Sequence, residues 1–129
     1  MSKSDLPAEV STADAQHVQW DKIPIEKLNP LLERQIVVGE KVMVARILLK
    51  KGCVVPMHHH HNEQISIVES GVLQFEVNGK EVIVRAGEVL CIPPHAPHTA
   101  TALEDTVDLD IFTPPREDWI KKTDEYLRG

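Results

Sequence analysis

The chain has 129 residues and a mass of 14.5 kDa, which is enough for one domain with a sizeable core. Its formal net charge of -6 argues against a nucleic-acid-binding protein, because such a protein needs a basic patch. No apolar run approaches the length of a membrane span, and the N-terminus lacks the pattern of a signal peptide, so we expect a cytoplasmic protein without a membrane partner.

In chain order, a polar segment without periodicity precedes a long series of short strands. We expect residues 1–19 to form a flexible N-terminal tail and residues 20–129 to form one domain. A run at 23–25 is predicted to be an edge strand, since its proline cannot donate to a ladder. The further predicted strands are 35–38, 42–49, 64–68, 72–77, 81–85, 89–92 and 106–112. Residues 116–127 show helical spacing and are predicted to form a short C-terminal helix.

Glycine and proline separate the predicted strands. Asn78-Gly79 is typical of a type I′ hairpin, and it joins 73–77 to 82–84. Gly71 and Gly87 stand at further turns, where a positive φ is easily adopted. Many short strands with such turns predict an all-β sandwich or small barrel.

Six of the seven histidines lie in two clusters, at 58–61 and at 95–98. The first cluster is internal and lies between predicted strands, so it is not an expression tag. Neutral imidazole is the commonest protein ligand for transition metals, and two clusters can bind one ion if the fold brings them together. The sequence therefore predicts a metal site.

Strand geometry selects three ligands from these clusters and a fourth from the residues that follow the first cluster. His58 and His60 are two residues apart, so both can point to one face of a strand. Gln64 has the same parity, and His98 is expected to arrive from a second strand as the fourth ligand. We expect His59 and His61 either to face outwards or to lie behind the ligands. His95 is expected either to orient His98 or to face solvent. His17 is expected to lie on the surface.

The two cysteines, Cys53 and Cys91, form no CxxC pair. We expect two small buried residues, with metal ligation as the less favoured alternative.

The predicted strand 106–112 alternates strictly. Asp108, Asp110 and Phe112 share one face, which is either solvated, as acidic faces usually are, or turned towards the metal. Arg116 follows the strand and is placed either to clamp a substrate carboxylate or to pair with Glu117 or Asp118.

The spacing of these residues resembles the two motifs of the cupin superfamily. Gly52-x5-His58-x-His60-x3-Gln64-x6-Gly71 resembles the first motif, with Gln where Glu is usual. Gly87-x5-Pro93-x-His95-x2-His98 resembles the second motif, with His95 where Gly is usual. The resemblance implies a double-stranded β-helix of jelly-roll type with a metal in its mouth, and a homodimer. A neutral Gln leaves the full charge on a bound ion, which favours an anionic substrate over redox cycling.

The segment 103–118 and the stretch His60-His61-Asn62-Glu63-Gln64 resemble the cupins that act in pectin degradation. That likeness runs from about Ile23 to Trp119. It implies the metal ligands His58, His60, Gln64 and His98, and Asp110, Phe112 and Arg116 as the residues near the substrate.

The leading hypothesis is therefore an enzyme that opens and tautomerises 4,5-unsaturated uronic acids to linear keto forms. Its partner would be a small-molecule carboxylate, and its cofactor one divalent transition metal, namely Zn, Ni, Fe, Mn or Cu. In this hypothesis Asp110 transfers the proton, Arg116 holds the carboxylate and Phe112 shapes the pocket. The alternatives are a cupin dioxygenase or other oxidoreductase, and a metal-binding or ligand-binding module without turnover.

Overall fold

The computed structural model describes residues 9–128, which form two antiparallel sheets. The larger sheet has the order β1-β2-β3-β10-β5-β8 and the smaller has the order β4-β9-β6-β7. The strands are β1 (Glu26–Asn29), β2 (Leu32–Val38), β3 (Met43–Leu49), β4 (Val54–His58), β5 (Glu63–Ser70), β6 (Val72–Val77), β7 (Lys80–Arg85), β8 (Val89–Ile92), β9 (His98–Ala102) and β10 (Thr106–Thr113). A short helix, α1 (Glu117–Ile120), follows the last strand. The predicted all-β architecture with a short C-terminal helix is confirmed. Within the described residues, no helix combines the length and apolarity needed to cross a membrane.

One hydrophobic core lies between the two sheets, because alternate side chains of each strand point inwards. The larger sheet contributes residues such as Met43, Ile47 and Leu49, and the smaller contributes Leu73 and Phe75. Complete burial of one such side chain contributes about 1.5–3 kcal/mol, so this core is the main stabilising element of the barrel.

The strand predictions differ from the structure mainly at the N-terminus and in the smaller sheet. The predicted edge strand at 23–25 is wrong: a 3₁₀ turn at Trp20–Lys22 precedes β1, which starts at Glu26. β4 and β9 were not predicted. Residues 11–19 form neither helix nor strand, and residues 1–8 of the predicted tail lie outside the described residues, so its flexibility stays a prediction.

The predicted C-terminal helix is too long. α1 covers four residues, and a 3₁₀ turn at Glu125–Leu127 follows it. Between them Lys122 has a φ of 58°, which no helix continues through.

Two predicted turns are confirmed by their backbone angles. Asn78 and Gly79 have φ values of 51° and 79°, as a type I′ turn between β6 and β7 requires. Gly71 has a φ of 87°, and a Cβ there would lie 2.4 Å from the carbonyl oxygen of Asp105. Gly71 therefore allows the β5–β6 turn to pack against the segment that enters β10.

Strand β10 buries its polar face. Asp108 and Asp110 are 3% and 7% exposed, whereas Val107, Leu109 and Ile111 are partly exposed on the opposite face. Of the two alternatives for this face, the solvated one is therefore wrong, because both acidic side chains are buried. Asp108 and Asp110 are buried with Phe112 and line the internal cavity, so their carboxyl groups project into the barrel interior.

The opposite, outward face of the larger sheet carries an apolar row across five strands. Val44 faces Val37 on one side and Ile111 on the other, and Ile111 faces Ile65, which faces Cys91. These five residues, which we call the outer row, are partly or fully exposed and include no charged side chain.

Candidate metal centre

Three histidines from two sequence clusters meet at one end of the barrel. His58 ends β4 and lies opposite His98, the first residue of β9, while His60 follows two residues after β4. One ring nitrogen from each of His58, His60 and His98 lies within 4.8 Å of the other two. This spacing lets three imidazoles bind one ion.

Backbone carbonyl groups fix the tautomer of all three rings. The Nδ1 atoms of His58, His60 and His98 lie 2.8, 3.0 and 2.8 Å from the carbonyl oxygens of Pro56, Asn62 and Ala96. A carbonyl oxygen accepts but cannot donate, so Nδ1 carries the hydrogen and Nε2 keeps its lone pair. The Nε2 atoms of His60 and His98 are buried without a hydrogen-bond partner. Buried nitrogens with free lone pairs fit a metal ion.

The environment keeps these imidazoles neutral. Burial lowers the pKa of His58 to about 4 and that of His60 to about 3. Burial also lowers the pKa of His98. At neutral pH the three rings are therefore unprotonated, which is the form that binds metals.

Gln64 lies in the same cavity as His58 and His98. It is 5% exposed, and it stands on β5 opposite Phe112 of β10. Its Nε2 donates to Ser66 Oγ at 2.9 Å, so its Oε1 atom stays available as a neutral oxygen ligand. Three imidazole nitrogens and one amide oxygen suit a divalent transition metal, and this donor set does not select one metal among Zn, Ni, Fe, Mn and Cu.

The remaining histidines and the cysteines take no part in this cluster. The other four histidines are exposed, namely His17, His59, His61 and His95. A surface position was the prediction for His17. For the other three, an exposed position was one of two predicted alternatives. Cys53 is buried as expected, but Cys91 is exposed on the edge strand β8, so its predicted burial is wrong. Cys91 lies opposite Ile65 on the outward face of the larger sheet, and β8 is its edge strand, which explains the exposure.

Behind the histidines, β10 supplies two carboxyl groups. Asp110 Oδ1 accepts a hydrogen bond from Ser66 Oγ at 2.7 Å. Asp108 is buried, its Oδ1 atom has no hydrogen-bond partner, and both residues line the cavity. Burial, followed by the charge and hydrogen bonding of Asp110, raises the pKa of Asp108 well above its usual value. The carboxyl group of Asp108 is thus easier to protonate than that of a solvated aspartate, a feature that the alternating sequence did not reveal.

Arg116 enters the cavity from the segment after β10. It is 2% exposed, and it pairs with Asp118 through Nε at 2.9 Å and through Nη2 at 2.7 Å. Of the two sequence-based roles, the ion pair with Asp118 is therefore present. Nη1 is buried and has no partner, so one donor group remains for a ligand in the cavity.

Phe112 packs under the guanidinium group and the imidazoles. Its ring centroid lies 5.1 Å from Arg116 Cζ and 5.7 Å from the His60 ring centroid. The side chain is 1% exposed and lines the cavity. Phe112 therefore forms an apolar wall that excludes water next to the charged groups.

Tyr126 was not identified from the sequence. Its ring stacks on His58 with a centroid distance of 4.7 Å and an interplanar angle of 29°. Its hydroxyl oxygen accepts hydrogen bonds from Arg116 Nη2 at 2.7 Å and from Trp119 Nε1 at 3.3 Å. No motif or periodicity marks Tyr126, because the C-terminal segment reaches the site through tertiary contacts alone.

The sequence profile of the cupin domain family, Cupin_2, matches residues 45–113, which run from within β3 to the end of β10. The pectin degradation protein KdgF of Dickeya dadantii (strain 3937) is 26% identical over 103 residues, covering 78% of this chain and 94% of that protein. The structure of KdgF from Halomonas sp. superposes with a TM-score of 0.78 at 26% identity, covering 82% of this chain and 99% of that one. An RmlC-like cupin from Shewanella frigidimarina NCIMB 400 gives a TM-score of 0.77 at 28% identity, covering 82% and 96%. These likenesses confirm the jelly-roll fold and the sequence resemblance to pectin-degradation cupins.

Proposed function

The chain belongs to the cupin domain family, and from that premise we propose that it is a metal-dependent enzyme acting on a 4,5-unsaturated uronic acid. The reaction would open the sugar ring and tautomerise the product to a linear keto form. The observation that carries this proposal is that one cavity brings together two of the three imidazoles, an ionisable carboxyl group (Asp110) and a cationic donor without a partner (Arg116 Nη1). The likeness to two proteins named KdgF supports the substrate class.

The reaction needs protons to move but no change of oxidation state. A base removes the proton of the anomeric hydroxyl, the C1–O5 bond breaks, and the electron pair passes to the ring oxygen as an enolate. Protonation at C4 then gives an aldehyde at C1 and a ketone at C5, with the molecular formula unchanged. A single carboxylate can remove the first proton and return it at C4, which is general acid–base catalysis.

In this proposal Asp110 transfers the proton. Its Oδ1 atom accepts a hydrogen bond from the Ser66 hydroxyl, which stabilises the carboxylate. The raised pKa of the neighbouring Asp108 favours its neutral form, which lowers the negative charge that an anionic substrate meets.

Arg116 and Phe112 would bind and orient the substrate. Nη1 of Arg116 donates to the uronate carboxylate, while Asp118 and Tyr126 hold the rest of the guanidinium group in place. Phe112 shields the ion pair from water, which strengthens it. A divalent ion held by His58, His60, His98 and Gln64 would supply Lewis-acid polarisation of the sugar oxygens.

The test is an NMR time course with 4,5-unsaturated galacturonate, with and without the metal-loaded protein. We expect faster appearance of the linear keto product with the protein, and a loss of about 100-fold or more in turnover for Asp110→Asn at unchanged metal content. Glu76→Gln removes an exposed carboxyl group on β6 and serves as the control with full activity.

Full activity of Asp110→Asn would refute the catalytic assignment. Oxygen consumption with the same substrate, lost when the metal is removed, would favour an oxidoreductase instead. Absence of a stoichiometric metal in the purified protein would count against both enzymatic functions.

We further propose that two copies of the chain pair through the outer row. A chain with a net charge of -6 resists self-association unless the contact surface lacks carboxylates, and the outer row includes none. Next to it Val89 is 56% exposed on the edge strand, which extends the apolar surface.

A further inference from the structure

We infer that Ser66 is a positioning residue that links Gln64 to Asp110 and determines which end of the Gln64 amide faces the three imidazoles. The inference rests on the metal site of the proposed function but not on the proposed reaction. Ser66 is not one of the residues that the sequence motifs considered above specify.

The geometry places Ser66 between the two residues. Its side chain is 0% exposed on the inner face of β5, and Asp110 is its direct partner on β10. Ser66 Oγ lies 2.7 Å from Asp110 Oδ1 and 2.9 Å from Gln64 Nε2. These are short hydrogen bonds in a buried site, where they hold orientation more strongly than on the surface.

The number of available hydrogens determines which group donates and which accepts in these two hydrogen bonds. A serine hydroxyl has one hydrogen to donate. In the structure Ser66 donates it to Asp110, and its remaining capacity is to accept, so the group that approaches it from Gln64 must be the NH₂ end. The amide oxygen is then left for the metal. A flipped amide would place oxygen against a hydroxyl oxygen that has no hydrogen to give.

The same argument explains why an amide suits position 64. A carboxylate there could only accept, and so could not pair with Ser66 while Ser66 donates to Asp110. If Asp110 were replaced by Asn, its NH₂ group could donate to Ser66, and the hydroxyl hydrogen would become free for a carboxylate at position 64. The identity of residue 64 is therefore predicted to depend on residue 110 through Ser66.

The first experiment measures zinc affinity by competition with a chromophoric chelator. We expect Ser66→Ala to weaken zinc binding by about 10- to 100-fold, as loss of a group that orients a ligand does in other metal sites. Ser70→Ala, on the exposed end of the same strand, should bind zinc as the wild type does. Equal zinc affinity of Ser66→Ala and wild type would overturn the inference.

The second experiment uses the metal-free protein and a double-mutant cycle of Gln64→Glu with Asp110→Asn, read by urea unfolding. We expect Gln64→Glu to destabilise the protein strongly alone and much less together with Asp110→Asn. The coupling, expressed as a ratio of unfolding equilibrium constants, should fall by about tenfold when the cycle is repeated with Ser66→Ala.

Equal coupling with and without Ser66 would show that the two charges interact through space only, and would overturn the inference. If Gln64→Glu does not fold, the zinc titration of Ser66→Ala decides. If the wild type binds no zinc, the proposed metal site fails, whereas the cycle on metal-free protein still tests the role of Ser66.

Discussion

In each of the three clustered histidines, the Nδ1 atom donates a hydrogen bond to the carbonyl oxygen of a residue two positions away in the chain. The local backbone thus determines the tautomer, and burial prevents protonation of the opposite nitrogen. The site is organised for a metal before one binds, so binding does not have to displace a proton at neutral pH.

This arrangement predicts a pH dependence of stability for the metal-free protein. The folded-state pKa of His58, about 4, lies below the value of 6.5 for an unperturbed imidazole. Between these values the unfolded chain binds more protons than the folded chain, so the stabilising contribution is present above about pH 6.5 and is lost as the pH falls towards 4. Urea unfolding of the metal-free protein at several pH values should show this decrease.

His58→Asn should make that decrease shallower, whereas the exposed His59→Asn should leave it as in the wild type. The same slope for His58→Asn and wild type would show that His58 is not the residue that titrates. The comparison of slopes also cancels the contribution of carboxyl groups common to both proteins.

The C-terminal segment closes one side of the site, and a buried ion pair attaches it to the barrel. Arg34 Nη1 of β2 lies 2.6 Å from Asp124 Oδ2, and both side chains are almost fully buried. This ion pair holds the segment so that Tyr126 stacks on His58 and Trp119 packs against Arg34. The sequence marks this segment only by helical spacing, which predicts a helix of three turns where the chain folds into two short turns.

Asp124→Asn should destabilise the protein by about 3 kcal/mol, because it leaves Arg34 with a single carboxylate partner, Glu26, in a buried position. Chemical unfolding measures this loss. Glu117→Gln breaks the exposed pair with Lys121, whose atoms are 4.0 Å apart, and should change stability by less than about 1 kcal/mol. Similar effects of the two substitutions on the free energy of unfolding would show that the buried ion pair stabilises the protein no more than a surface ion pair does.

The central strands were predictable because large apolar residues recur along them and a Gly or Pro follows the end of each strand within a few residues. β9 was not, because its His-Thr-Ala-Thr-Ala sequence has no large apolar residue, and β4 was not, because Pro56 interrupts it. The histidine spacing identified the three imidazoles that meet in the structure. Ser66 and Tyr126 had no signal, since their importance comes from partners 44 and 10 residues away that only folding brings together.

For the whole molecule, the outer row and its neighbours define the surface proposed for pairing of two copies. Light scattering coupled to size-exclusion chromatography should give twice the chain mass of 14.5 kDa for the wild type. Ile111→Asp places a charge at the centre of the outer row and should give the monomer mass. Ile83→Asp, on an exposed position of β7 in the other sheet, should leave the dimer intact.

A dimer that survives Ile111→Asp would place the interface elsewhere, and a monomeric wild type would refute the pairing. Either result leaves the metal centre unaffected, because its three imidazoles all come from one chain.

The inverted burial of β10 has a consequence for how the chain finds its fold. A shift of one residue would turn Val107, Leu109 and Ile111 inwards and expose Asp108 and Asp110, an arrangement that the hydrophobic effect alone prefers. The native register is instead specified by seven paired positions with β3 and by the inward packing of Phe112. The shifted pairing is therefore a competing misfolded state that the inward-facing carboxyl groups of Asp108 and Asp110 themselves create. A bound metal, or a second copy on the outer row, would favour the native alternative.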